Sequence, residues 1–267
     1  MNGVVFKDTL RRGWRGMIYW GIGFGLYGVM IMMIVKDANI LKQYAEISKA
    51  LPPALLQLFG GDAASMATPE GFMAYGYFGY LLLIFAVYAI LSGLNITAND
   101  EDAGIMDMVL TLPLARWRLV LEKFLAYALL IVGIVSLSYI GLLIGSQFSA
   151  LKIDNGRLFQ ATVNIIPATL LVLGVTMLAG TVFRSKGTAT AVAALFVVGS
   201  YVLNFLGLAA SGTFFDKVKA FSFFTYYDHQ GVIQHGLVAG NVLLLLIVTV
   251  VCAGIALWTF QRRDVGI

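Results

Sequence analysis

Asp228, His229 and His235 are residues whose side chains could hold a metal ion. Carboxylate and imidazole groups are common zinc ligands, and zinc sites place three or four of them at characteristic spacings. The spacing of these three residues matches no standard ligand set. The sequence therefore predicts no metal site.

The segment GTVFRSKGT, which begins at Gly180, contains the Lys, Ser and Thr of a phosphate-binding loop. It lacks the GxxxxGK[ST] order, in which backbone N–H groups and the lysine surround the phosphates. No nucleotide site is encoded by this segment. We predict that the chain is not an enzyme, has no catalytic residues and binds no cofactor of its own.

The composition indicates which elements must position the remaining polar residues. Hydrophobic residues make up 60% of the 267-residue chain and charged residues 12%, whereas soluble domains carry about 45–50% and about 25%. Six long stretches contain no Asp, Glu, Lys, Arg or His, and about 20 mostly apolar residues suffice for a membrane helix. We predict an all-α integral membrane protein, a single domain over residues 1–267, with spans at 16–35, 73–97, 120–147, 160–183, 187–211 and 237–260.

The basic residues predict the orientation of these spans. With six spans both termini lie on one side, and the termini and loops of that side hold eleven Lys and Arg residues against seven in the opposite loops. Because Lys and Arg favour cytoplasmic loops, we predict cytoplasmic N- and C-termini. The basic segment VVFKDTLRRGWRG is typical of an N-terminal interfacial helix that leads into the first span, or of a solvated basic tail.

Three further patterns concern packing and the outer surface. Glycines four residues apart in GIGFG and GLLIG allow helices to approach closely. The segment from Asn39 predicts a short amphipathic helix that ends at Pro52 and Pro53. The aromatic-rich segment between the last two spans is typical of the lipid headgroup layer.

Transport coupled to an ion gradient usually requires ionisable groups at membrane depth, and the six apolar stretches contain none. The polar groups that remain in these stretches include Asn95, Asn164, Asn204 and Asn241, but such amides more often hold helices together than bind a ligand. If the chain is a pump, its energy comes from another polypeptide through a cytoplasmic contact.

The densest group of charges lies in the loop between the second and third spans, in NDEDAGIMDMVLTLPLARWRLVLEK. Asn99 or Asp100 is expected to cap a helix with an acidic first turn. An apolar face follows at helical spacing, and Pro113 ends that helix. A short helix with an exposed apolar face is what a rigid partner could bind; the alternative is an ordinary solvated connector.

This loop carries a family resemblance. Glu101, Gly104, Leu110, Pro113 and Arg116 have the spacing E-x2-G-x5-L-x2-P-x2-R, which resembles the pattern E-x-x-G-T-L-x-x-L-L-x-x-P-[VL]-[ST]-R of bacterial ABC-transporter permeases of the type-two exporter family. The segments FRSKGTATAV and FQRRDVG are similar to that family as well. The resemblance covers most of the chain.

The resemblance implies the membrane-spanning subunit of an ATP-driven exporter in the bacterial inner membrane, which works by alternating access. Its partners would be a second permease copy, identical or related, and two cytoplasmic ATPase subunits that carry ATP and Mg; no nucleic acid is involved. The loop would be the cytoplasmic coupling helix, and the turn after the fourth span a second contact. The implied ATPase-facing residues are Glu101, Gly104, Ile105, Met108, Val109, Leu112, Pro113, Arg116, Arg184 and Lys186. The resemblance also implies a substrate pathway at the dimer interface along spans two and five, where the candidates are Ser92, Asn95, Tyr201 and Asn204.

Two other functions stay open at this point. The chain could be a scaffold or sensor subunit of an ATPase complex that transports nothing, or an ion-coupled transporter. An intramembrane enzyme is disfavoured because such enzymes place His, Asp, Glu or a metal set near the membrane. The substrate is not specified by these patterns, because exporters of peptides, drugs, lipid-linked sugars and sodium share this plan.

Overall fold

The computed structural model describes residues 3–50, 68–104, 115–183, 185–210, 212 and 214–262. All regular elements among them are helical. Six helices are long and apolar enough to cross a membrane, and we refer to them as span one to span six. They are Val4–Ile34, Pro69–Leu94, Arg116–Ser146, Asn155–Val182, Lys186–Ala209 and Ala239–Arg262. The prediction of an all-helical protein with six spans is confirmed for this part of the chain.

The helices extend beyond the apolar stretches that predict them. Span one begins at Val4, so the basic N-terminal segment forms its first turns and is not a separate helix. The Glu122 carboxylate accepts hydrogen bonds from the backbone N–H groups of Gly3, at 3.2 Å, and Phe6, at 3.1 Å. These donors belong to the start of a helix, where N–H groups lack partners within the helix. Span three therefore fixes the first turn of span one.

Spans one and three cross at a glycine contact. A Cβ atom built on Gly141 would lie 2.3 Å from both the Cα atom and the carbonyl oxygen of Gly25. A Cβ on Gly145 would lie 2.9 Å from the Cα atom of Val29. Only residues without a side chain allow the two backbones to come this close. The close packing predicted from GIGFG and GLLIG is confirmed.

Span two contains an irregular turn. Its α-helices Pro69–Met73 and Gly79–Leu94 are separated by a π-helix, Ala74–Phe78. Two tyrosine hydroxyls donate hydrogen bonds to carbonyls of this turn: Tyr27 to Gly76 at 2.7 Å, and Tyr227 to Phe78 at 3.0 Å. Such turns are rare and are often found at functional sites. Here the turn is held by one residue from span one and one from the segment after span five.

Spans two and four form the centre of the bundle. Of their most apolar windows, 61% and 72% of the residues are buried, against 22% in each of spans five and six. Leu195, Ile247 and Val250 are among the exposed apolar residues of those last two spans. Apolar side chains on the outside of a membrane bundle contact lipid tails or other membrane helices.

Shorter helices connect the spans: Ala38–Ala50, Ala98–Asp102, Phe214–Val218, a 3₁₀ turn at Lys219–Phe221, Phe223–Tyr227 and His229–His235. Ala38–Ala50 corresponds to the predicted amphipathic helix after span one. Its expected end at Pro52 and Pro53 lies outside the described residues.

Candidate functional site

The start of the loop after span two differs from the prediction in the residue that caps its helix. The described part forms the short helix Ala98–Asp102, which follows Thr97 at its N-cap. Asn99 and Asp100 therefore lie inside the helix and do not cap it. The helix ends because Gly104 adopts a left-handed conformation, with φ of 66°, and its N–H donates to the Glu101 carbonyl at 3.0 Å. Left-handed glycines are common helix C-terminal signals.

Several residues of the proposed ATPase contact fall outside the described residues. These are Ile105, Met108, Val109, Leu112, Pro113 and Arg184. Of the others, Glu101 and Gly104 belong to the helix Ala98–Asp102 and its terminal turn, Arg116 opens span three, and Lys186 opens span five.

The structure brings the start of this loop next to the start of span five. Leu94, Ala98, Ala179 and Ala189 form a small buried cluster, which joins the end of span two, the helix Ala98–Asp102, the end of span four and the first turns of span five. We call this end of the bundle the loop end. The two segments predicted to contact an ATPase, around Glu101 and around Lys186, therefore lie at the same end of the molecule.

Lys123 connects three elements at the loop end. Its ammonium group donates hydrogen bonds to the carbonyls of Asn95, at 3.3 Å, and Ile96, at 3.1 Å, and it forms an ion pair with the Asp100 carboxylate. The carbonyls at a helix C-terminus lack partners within the helix and favour a positive charge. Lys123 on span three thus holds both the end of span two and the helix that follows it.

Ser92 and Asn95, two of the predicted substrate-pathway residues, lie at the loop end. Ser92 is buried, and the Asn95 side chain accepts a hydrogen bond from the Asn99 amide. Both therefore take part in the packing and capping at the end of span two.

Tyr201 and Asn204, the other two, line a cavity at the opposite end of the bundle. The cavity has a volume of about 260 Å³ and lies between span two, span five and the helices at 214–235. We call it the outer-segment cavity, because the segment between spans five and six is predicted to lie outside. Tyr80, which also lines it, is separated from Leu94 at the loop end by about 20 Å along the helix, at about 1.5 Å per residue. The cavity and the loop end are therefore distinct regions connected by spans two and five.

Aromatic rings form much of the cavity wall. Tyr75, Tyr80, Tyr201, Phe205, Phe224 and His229 contribute. The Tyr201 and Phe224 rings meet edge to face at a centroid distance of 5.5 Å, and the Tyr75 and His229 rings at 5.9 Å. Tyr75 belongs to the π-helix of span two, so the irregular turn places a tyrosine on the cavity.

The segment after span five folds into the bundle and brings polar groups to the cavity. Phe223, Phe224 and Tyr227 are buried, and the Ser222 hydroxyl donates to the Ser200 carbonyl at 2.6 Å. These three rings therefore pack inside the bundle, whereas Phe221 is 83% exposed; the location of this segment in the lipid headgroup layer stays a prediction.

Asp228 follows this buried turn and is an unusual residue. It adopts a left-handed backbone conformation with φ of 34°, which Asp and Asn tolerate better than most side chains. Its carboxylate accepts a hydrogen bond from the Gly231 N–H at 3.0 Å and lines the cavity. No ion pair involving Asp228 is found among the residues that the structure describes.

A lysine and a histidine also line the cavity. The Lys219 ammonium lies 2.6 Å from the Asp216 carboxylate, and this hydrogen bond lowers the pKa of Asp216. Burial lowers the pKa of His229 to about 4, against the opposing effect of the Asp228 charge. His229 is therefore neutral at pH 7, and the charged residues that line the cavity are Lys219, which is paired with Asp216, and Asp228.

His229 and His235 occupy opposite ends of one short helix, His229–His235. Across the described ranges, no group of three His, Cys, Asp or Glu side chains is placed to hold a metal ion. The cavity is thus lined by aromatic rings, amide and hydroxyl groups, the Asp228 carboxylate and the Lys219 ammonium group.

Comparison with known proteins agrees with this architecture. A search of curated proteins finds no significant match. A family model described as the C-terminal domain of the multidrug efflux system permease Rv1217c matches residues 9–261. This range includes all of spans two to five, most of spans one and six, and the cavity. The chain therefore belongs to the family of the C-terminal domain of the multidrug efflux system permease Rv1217c.

Proposed function

We propose that the chain is the membrane-spanning subunit of an ABC exporter, a permease moved by ATP hydrolysis on separate ATPase subunits. Family membership and six apolar helices support a permease. A second permease copy and two ATPase subunits complete the transporter, with ATP and Mg bound to the ATPases. The complex resides in the bacterial inner membrane, and the family description suggests drug-like substrates.

The observation that carries ATPase coupling is the linkage at the loop end. Lys123 joins the helix Ala98–Asp102 to the end of span two through Asp100 and two backbone carbonyls. A partner that pushes the loop after span two therefore moves spans two and three with it. Because span two also lines the outer-segment cavity, this displacement is passed along the helix to the cavity. Alternating access follows if the two positions of the helix open the cavity to different sides.

The orientation we propose places the loop end in the cytoplasm and the cavity near the outer surface. Cysteine labelling tests it. Asn155, at the start of span four, and Ser185, at the start of span five, are both exposed. In a Cys252→Ser background, Asn155→Cys is expected to react with an impermeant thiol reagent added to intact cells, and Ser185→Cys only after lysis. The reverse pattern would place the loop end outside.

ATP is expected to drive the transport directly, because the centres of the spans carry no ionisable groups for ion coupling. The measurement uses inverted vesicles that contain the permease and the ATPase, and follows accumulation of ethidium and of the neutral dye Nile red. Collapsing the proton and sodium gradients with ionophores at constant ATP should leave ATP-dependent accumulation largely intact.

Two results would contradict this function. Loss of accumulation under the ionophores while ATP is still hydrolysed would identify an ion-coupled transporter. ATPase activity unaffected by any solute, with no accumulation of any compound in a broad panel, would identify a scaffold or sensor subunit. A Walker-lysine variant of the ATPase subunit is the control for ATP-independent dye movement.

A further inference from the structure

The outer-segment cavity has a size and a wall that select one chemical class of ligand. Its volume of about 260 Å³ is just below the range of about 300–1,000 Å³ that is typical of sites for drug-sized ligands. A molecule of one or two rings is therefore the natural occupant. The rings of Tyr75, Tyr80 and Tyr201 supply faces on which a flat molecule can stack.

The charges of the wall decide between cationic, neutral and anionic ligands. Lys219 is neutralised by Asp216, and His229 is uncharged near neutral pH. Asp228 retains its carboxylate without an ion-pair partner in the described part of the chain. A cation in this cavity is attracted by the carboxylate, through an ion pair, and by the tyrosine rings, through cation–π contacts.

We propose that the outer-segment cavity binds small aromatic organic monocations, with Asp228 as the charge-recognising residue and Tyr201 as part of the stacking surface. This inference rests on the proposed export function for its biological meaning, since it names the substrate class of the exporter. Asp228 lies outside the spans, so charge recognition takes place in the segment that closes one end of the bundle and not at the centre of the membrane.

Two probes of the same size separate the contribution of ligand charge to binding from that of ring stacking. N-methylquinolinium is a permanent cation, and 4-methylquinoline has the same heavy atoms but is neutral in mildly alkaline buffer. Binding of each is measured by equilibrium dialysis against the permease alone in lipid nanodiscs, with empty nanodiscs subtracted. The wild-type chain is expected to bind the cation about tenfold more tightly than the neutral molecule, as for a hydrogen bond or ion pair to a charged group.

Asp228→Asn removes the charge and keeps the local structure. Asparagine retains an oxygen for the Gly231 N–H and tolerates the left-handed backbone. This variant is expected to lose about tenfold in affinity for the cation and nothing for the neutral probe. Asp154→Asn is the matched control: Asp154 also caps a helix, accepting from the Arg157 N–H at 3.1 Å, but it is not part of the cavity wall.

Lys219→Gln tests the proposal in the opposite direction and does not depend on the folding of the Asp228 variant. Removal of this positive charge from the cavity lining leaves Asp216 and Asp228 without a compensating cation, so cation affinity is expected to rise about two- to fivefold. The proposal would be overturned if the wild type bound both probes equally. It would also be overturned if neither Asp228→Asn nor Lys219→Gln changed the affinity for the cation. Neither assay requires ATP or the ATPase, so failure of export and failure of cation recognition are separate results.

Discussion

Gly141→Ala is expected to lower the thermal stability of the permease strongly. The added methyl group would lie 2.3 Å from the Cα and carbonyl oxygen atoms of Gly25, and both of these are backbone atoms that no side-chain rotation can move. Spans one and three must then separate, and they lose contacts on either side of the crossing. Overpacking of this kind costs about 1–3 kcal/mol of the free energy of unfolding. The measurement is the melting temperature of the purified permease in detergent.

The same glycine motif provides the control. Gly23 lies between the two closely packed glycines of GIGFG, and a Cβ built there meets no atom within 4 Å. Gly23→Ala is therefore expected to leave the melting temperature unchanged or to raise it slightly, because alanine is the better helix former. Equal stability of the Gly141→Ala and Gly23→Ala variants would show that the spans do not cross as closely as the structure places them.

The membrane spans were predictable because a single property, a long stretch without charges, reports burial in lipid. Their ends were less predictable. Span one continues to Val4 and span three to Arg116, since a helix persists beyond the apolar core wherever a partner satisfies its terminal groups. Glu122 does this for the first turn of span one. Such a partner is more than a hundred residues away, so no local pattern indicates it.

The residues that line the cavity were predictable only in part, again because the decisive contact joins distant parts of the sequence. Tyr201 and Asn204 are polar groups in an apolar helix, and they do line the cavity. Ser92 and Asn95 have the same signal but lie at the loop end. What separates the two pairs is the segment after span five, which is anchored to span two by the hydrogen bond from Tyr227 to Phe78. That contact joins residues distant in sequence. The aromatic composition of the segment does not indicate it.

At the loop end, the sequence motif includes residues whose structural roles were not predicted. Lys123 could be recognised as a basic residue near the membrane surface, but its contacts with Asn95, Ile96 and Asp100 depend on how spans two and three pack. The described helix Ala98–Asp102 ends where the glycine at 104 takes a left-handed conformation. Helix periodicity after this point remains a prediction for residues outside the described part of the chain.

Lys123→Met is expected to uncouple ATP hydrolysis from transport. The substitution keeps most of the apolar stem but leaves Asp100 without its ion pair and two carbonyls at the end of span two without their donor. The helix Ala98–Asp102 can then move without span two. Coupling free energies between distant sites correspond to factors of about 5–150, so transport per ATP hydrolysed is expected to fall about tenfold. This expectation rests on the proposed ATPase partner.

Two further variants, Asp100→Asn and Lys7→Met, test whether the loss of coupling is specific to Lys123. Asp100→Asn leaves the two carbonyl contacts of Lys123 in place, so its loss of coupling should be smaller than that of Lys123→Met. Lys7 is an exposed residue in the first turns of span one, and Lys7→Met should couple normally. Amide hydrogen exchange supplies a readout without ATP: residues 98–104 should exchange faster in Lys123→Met and at the wild-type rate in Lys7→Met. Full coupling and unchanged exchange in Lys123→Met would show that Lys123 does not transmit the movement of the loop.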